Sequence, residues 1–443
     1  MSTQDQLDSL HPAHLATVMQ RMDRALAACG FDAVAIHSGA PLTLFLDDQD
    51  YPFKPNPHFK AWAPLDQHPH CLIIYRPGTR PKLLFHRPED YWHLPPTLPT
   101  EAWTGSFEVI PVVTSADAQS HWKTLERAAL IGPAAVFPGA DPSAVNPTQL
   151  LTRLHYDRAV KTGYELECLR RASLVGARGH QAALECFHDG GSEYEAHMRY
   201  LQACGQREEE MPYNNIVAYN GHGAVLHYQH LDRRPPAQRL SFLLDAGGQY
   251  RGYASDITRT HAGAPGAFAE VLAAMERAQL ALCAEIRSGT DFRDVHLSAH
   301  RRIGDVLHSA GLTRIGGQDA VEAGLTSVFF PHGIGHLLGL QVHDVGGVIG
   351  DPAGHERPRP AGHPYLRLTR MLEPGVVVTV EPVIYWIDSL LKAAAADKRG
   401  ELIDWQRVDT LRPYGGIRIE DNVVATGGDP ENLTRAAFAK LAA

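Results

Sequence analysis

Apolar positions along the chain fall into alternating helical and strand-like runs. Residues 13–29, HLATVMQRMDRALAACG, space their apolar side chains three and four apart and stop at Gly30, which predicts an amphipathic helix. DAVAIHSG (32–39) and HCLIIYRPG (70–78) are short apolar runs bounded by turn residues and predict strands. Helical AQSHWKTLERAAL (118–130) and strand-like LIGPAAVFPG (130–139) complete a small α/β unit. Helical periodicity over 157–187 then predicts one or two long helices that open a second domain, so the expected domains are 1–158 and 159–443. Beyond residue 215 hairpins alternate with helices, among them the amphipathic runs 268–286 and 294–311. The Pro/Gly-rich, polar stretch 351–364 predicts a surface loop bordering the site. The pattern as a whole is that of an α+β protein.

Chemistry concentrates in the second domain. In LSFLLDAGGQYRGYASDITRT (240–260), Asp245 follows an apolar run and Asp256 opens a β-friendly one, eleven residues later. The Gly-rich stretch between them reads as a hairpin connection that, folded symmetrically, sets Asp245 opposite Asp256 on one face. Two carboxylates so placed repel one another and lose hydration unless a cation sits between them. Further donors lie downstream: His332, His336 and His343 in FFPHGIGHLLGLQVHD, Glu381 in VVTVEPVIYW and Glu420 in YGGIRIEDNV. Two Asp, two Glu and one His suit hard divalent ions, with the imidazole extending the range to Mn, Co or Zn. Four carboxylates balance two divalent charges, so a two-metal hydrolytic centre that lowers the pKa of a shared water is electrostatically reasonable.

The ordered set DAG, SDITRT, HGIGH, VHDVGG, VEP and GGIRIEDN, with FLDDQDYPFKPNPHFKAW (45–62) near the start, resembles the metal-dependent aminopeptidase/prolidase family, the pita-bread peptidases. The bacterial Xaa-Pro dipeptidase branch, which includes proteins known as organophosphorus acid anhydrolases, fits best, and the resemblance covers nearly the whole chain. It implies a pita-bread catalytic domain behind a creatinase-like N-terminal domain. It also implies a cytoplasmic homodimer that uses two divalent ions, Mn²⁺ with Co²⁺ or Zn²⁺ as alternatives, to hydrolyse dipeptides. By resemblance the metal ligands are Asp245, Asp256, His336, Glu381 and Glu420, with Asp256 and Glu420 bridging. Glu381 doubles as general base and proton shuttle. His343 hydrogen-bonds the scissile carbonyl, and His227 and His332 position the substrate. Arg367 and Arg418 are carboxylate clamps, although Arg418 equally suits a salt bridge supporting the ligands. Trp92, Tyr213, Phe292, Val342 and Leu366 match pocket walls. Asp48 matches a residue that reaches into the partner subunit's site. Val383 follows Glu381-Pro382 where the family usually has Gly, and Val resists positive φ. Phosphotriester hydrolysis, aminopeptidase P activity on longer peptides and a metal-free binding module are the alternative readings.

Composition narrows the partners. With 41 Lys+Arg against 50 Asp+Glu, the net charge of −9 argues against a general nucleic-acid binder. Six scattered cysteines without a CxxC pair read as thiols in a reducing compartment. The polar start, MSTQDQLDSLHPAH, has no export region, and no apolar run is long enough to span a membrane.

Overall fold

The computed structural model describes residues 3–443. The chain divides into two compact units, Met1–Glu167 with Asp351–His355, and Cys168–Gly350 with Glu356–Ala443. The cut falls inside the helix Gly163–Asp189, nine residues beyond the expected boundary, because that helix runs unbroken through the change of packing partner. The Pro/Gly-rich stretch 351–364 is shared, its first five residues going with the first unit.

The first unit opens with the helix Thr3–Cys29, which stops at Gly30 with φ 76°. Its five-stranded sheet has the order Glu108–Val112, Lys82–His86, Leu72–Tyr75, Ala33–His37, Ala128–Ile131. The register pairs Val34 with Tyr75 antiparallel and Ala33 with Ala128 parallel. All five residues of Ala33–His37 are buried, so this strand is covered on both faces, and Ala35, Leu72, Ile74, Leu84 and Leu130 pack with Trp122 and Phe137 on one of them. The helix expected over 118–130 is displaced to Ser115–Trp122, where Thr114 and Asp117 form a reciprocal capping box; the strand 128–131 takes the remainder.

The second unit contains three small antiparallel pairings that together make one platform. Ile216–Tyr219, Ser241–Asp245 and Thr258–Ala262 form a sheet in that order; Val377–Val380 pairs with Asp421–Val424, and Val383–Tyr385 with Gly416–Arg418. The register Val380↔Asp421 and Val383↔Arg418 continues through the intervening residues and sets Glu381 opposite Glu420. Glu420 in turn bridges to Thr258, and Thr258 pairs with Asp245. Four segments thus place Asp245, Thr258, Glu420 and Glu381 in one lateral row. Val383 lies in extended strand, so no positive φ is required of it. The helices Ala267–Cys283 and Phe292–Ser309 pack together. None of the described helices is long and apolar enough to cross a membrane.

Candidate metal centre

The hairpin carrying both aspartates differs from the symmetric expectation. Asp245 pairs with Thr258, and Gln249↔Ala254 and Tyr250↔Tyr253 keep the same register, so the turn is the two-residue Arg251-Gly252. Both turn residues have positive φ, 49° and 82°, as a type I′ hairpin requires. Asp256 therefore falls two positions from Thr258, on the same face as Asp245 but diagonal to it. Gly247 stands across from Asp256. A Cβ there would meet the Ser255 carbonyl at 2.0 Å and the Tyr213 ring at 2.9 Å, so the absent side chain makes room for Tyr213. The Tyr213 hydroxyl lies 2.7 Å from Asp245 Oδ1 and 2.6 Å from Asp256 Oδ1, spanning the two carboxylates.

The downstream residues converge on the same place. Ligand atoms of Asp256, His336 and Glu420 all lie within 4.8 Å of one another. His336 Nε2 is 3.4 Å from Asp256 Oδ2 and 4.0 Å from Glu381 Oε1. Its other ring nitrogen faces the Leu337 carbonyl at 2.9 Å, and its backbone N–H donates to Thr379 Oγ1, which fixes the ring. Thr258 Oγ1 donates to Glu420 Oε2 at 2.8 Å. Arg418 donates to Asp245 Oδ2 at 2.6 Å, to Thr258 Oγ1 at 3.1 Å and to the Tyr385 hydroxyl. Its guanidinium is thus committed to a carboxylate of the cluster.

Electrostatics follow from burial and crowding. Burial raises the Glu381 carboxyl to about 7; the Asp256 and Asp245 charges add to this, and His336 and Arg418 oppose it. Burial also drives Glu420 well up, reinforced by Asp256, Glu381 and Asp245. Asp245 is raised by burial, an effect partly offset by Arg418. For Asp256 burial works the same way but is overcome by the His336 hydrogen bond and charge, so its pKa falls. Four carboxylates and one imidazole, compressed with too little positive charge among them, make a donor set that fits divalent cations.

Two of the other expected histidines lie beside this cluster. His332 Nδ1 is 3.9 Å from Glu381 Oε2, and burial pulls its pKa down to about 4. The His343 ring packs edge-on to His336 at 4.3 Å between centroids. His227 and Arg367 are exposed; burial is the main cause that lowers the pKa values of His332 and His343, and the charges of Arg367 and His227 add to it. Val342 is half-buried, whereas Phe292 and Leu366 are 0% and 1% exposed. Asp48 and the 76% exposed Trp92 belong to the first unit, each on its surface. Sequence reasoning missed Tyr385, which meets Arg418, and Asn422, whose amide faces the backbone of Asp256. It also missed His180, whose Nε2 lies 3.0 Å from both the Ala246 and Ile257 carbonyls, next to the two aspartates. Tyr385 and Asn422 sit inside quoted motifs; nothing in the pattern around His180 marks it.

An α+β domain that gathers such a donor set onto one sheet platform has the build of a metal-dependent hydrolase. The chain belongs to metallopeptidase family M24, which it matches over residues 167–427, and residues 9–156 match the Xaa-Pro dipeptidase N-terminal domain. It is 46% identical over 434 residues to a Xaa-Pro dipeptidase of Stenotrophomonas maltophilia (strain K279a), covering 97% of this chain and 98% of that one. To a Xaa-Pro dipeptidase of Xanthomonas campestris pv. campestris (strain 8004) it is 46% identical over 439 residues, 99% of each chain. Among solved structures, a zinc-substituted Escherichia coli aminopeptidase P in complex with product superposes with a TM-score of 0.67 at 23% identity over 95% of each chain. Proline aminopeptidase P II from Yersinia pestis gives 0.68 at 24% identity, covering 96% of this chain and 99% of that one. At these identities the two structures establish the fold.

Proposed function

We propose that this chain is a Xaa-Pro dipeptidase that hydrolyses the imide bond of dipeptides ending in proline, with two divalent ions, Mn²⁺ foremost, held by Asp245, Asp256, His336, Glu381 and Glu420. The observation that carries the reading is the lateral row of Asp245, Glu420 and Glu381 on neighbouring segments, with Asp256 and His336 closing on it. Like charges directly opposite one another destabilise a sheet, and a cation removes that cost. When bound, the ions supply Lewis acidity, polarising the scissile carbonyl and lowering the pKa of water.

The chain's own groups do the rest. Glu381, beside His332, takes a proton from the attacking water and passes it to the departing imide nitrogen. His343 donates a hydrogen bond to the carbonyl oxygen as it gains charge, and His332, beside Glu381, and His227 position the substrate. Arg367, exposed and near these histidines, receives the C-terminal carboxylate of the dipeptide, which restricts the enzyme to short substrates. Arg418 orients Asp245. Proline's imide offers no N–H, so its ring is recognised by the shape of the Tyr213, Val342 and Leu366 surroundings. Asp48 completes the site from the other copy of a cytoplasmic homodimer, a role supported by its exposure beside Phe45 and Leu46, which are 89% and 91% exposed.

The test is a panel of Ala-Pro, Leu-Pro and Xaa-Pro-Xaa tripeptides assayed with metal-stripped protein restored with each divalent ion. Dipeptide hydrolysis that depends on added metal is expected. Equal rates on tripeptides would overturn the dipeptidase reading in favour of an aminopeptidase.

A further inference from the structure

A second convergence of imidazoles lies within the catalytic unit and includes none of the five ligands; Phe330 packs against both His300 and His332. His296 and His300 sit one turn apart on the helix Phe292–Ser309, 0% and 1% exposed, and the half-buried His363 comes from the end of the Pro/Gly-rich stretch. One nitrogen from each falls in a set whose members all lie within 4.8 Å of one another. The three rings stand 4.7, 4.6 and 4.5 Å apart between centroids. His296 Nε2 is 2.9 Å from His363 Nδ1. His300 Nδ1 faces Thr326 Oγ1 at 2.9 Å, which leaves its Nε2 buried with no hydrogen-bond partner; His296 Nδ1 is buried and unpartnered as well.

A single His–His hydrogen bond needs two histidines, so it does not account for the third or for the unpartnered nitrogens. Buried polar atoms are ordinarily paired. Phe330 stacks on His300 at 4.6 Å and closes the cluster on one side. Burial first, and the neighbouring histidines second, hold His296 at about 2 and His300 at about 3, so both stay neutral with lone pairs available. Imidazoles without a carboxylate select borderline cations, in contrast to the carboxylate-rich centre, and the Thr326 contact is of the kind that orients a ligating ring.

We propose that His296, His300 and His363 form a separate metal site that takes one borderline divalent cation, Zn²⁺ foremost, tying the helix Phe292–Ser309 to the segment that leads into Leu366 and Arg367. The experiment uses the full chain, equilibrated with Mn²⁺ and then with Zn²⁺, desalted, and analysed for total metal by mass spectrometry alongside thermal unfolding. Wild type is expected to retain one more divalent ion per chain than His363→Ala, and to show a Zn²⁺-dependent rise in Tm that the variant lacks. Because the readout is a difference of one ion, it holds whatever the occupancy of the carboxylate centre. His363 is half-buried whereas His296 and His300 are fully buried, so His363→Ala is the variant used, with its fold checked by circular dichroism. Equal metal content in wild type and His363→Ala, or an equal Zn²⁺ effect on their Tm, would overturn the proposal.

Discussion

Arg418 Nη2 lies 2.6 Å from Asp245 Oδ2, although the two residues are 173 positions apart. Both are nearly buried, and the same guanidinium also reaches Thr258 and Tyr385. The pair stabilises an ionised Asp245 where burial alone would favour the acid. Arg418→Lys keeps the charge and loses the fork. Metal affinity is expected to fall by about 10- to 100-fold, the usual cost of losing a group that orients a ligand. kcat falls with it, and at saturating metal KM for a dipeptide changes little. A rise in KM alone, with metal retention unchanged, would assign Arg418 to the substrate carboxylate instead.

Gly247→Ala adds a methyl where the Ser255 carbonyl would lie 2.0 Å away and the Tyr213 ring 2.9 Å away. The first contact is backbone and cannot be relieved by a rotamer change. The hairpin must shift, at a cost on the order of 1–3 kcal/mol, and the Asp245–Tyr213–Asp256 geometry is lost. A lower denaturation midpoint together with weaker metal retention checks this; a variant as stable and active as wild type would show that the hairpin yields freely.

Glu381→Gln keeps the shape of the side chain and removes its capacity to carry a proton. Turnover of Ala-Pro is expected to drop by at least ~10²-fold, with the fold retained by circular dichroism. Residual activity near wild type would assign proton transfer to another group.

Metal removal should make stability depend on pH in a defined direction. In the stripped protein Glu381 titrates near 7, above the ordinary carboxylate value, so the folded state binds more protons than the unfolded one. Its contribution is complete below the unfolded pKa and is lost as pH rises through about 7. The stripped protein is expected to melt lower at pH 8 than at pH 6, and added Mn²⁺ to raise Tm more at pH 8, where the ligands are ionised. A Mn²⁺ effect that is larger at pH 6 would contradict the assignment.

The sequence by itself determined the kinds of chemistry available and the order in which they arrive. Helical and strand periods located the first helix and the strands near 33–37 and 72–75, because a half- or fully buried element leaves its period in the residues. The motifs that carry Asp245, Asp256, His336, Glu381 and Glu420 were equally legible. Tertiary structure alone decided the register. A two-residue turn at Arg251-Gly252 moved Asp256 off the position opposite Asp245, and three separate pairings aligned Glu381, Glu420, Thr258 and Asp245 in a row. It also decided that Tyr213 spans the aspartates instead of simply walling a pocket, and that His296, His300 and His363 meet. Periodicity is a local property of the chain, whereas register and cross-segment contact are set by loop closure and packing between residues far apart in it.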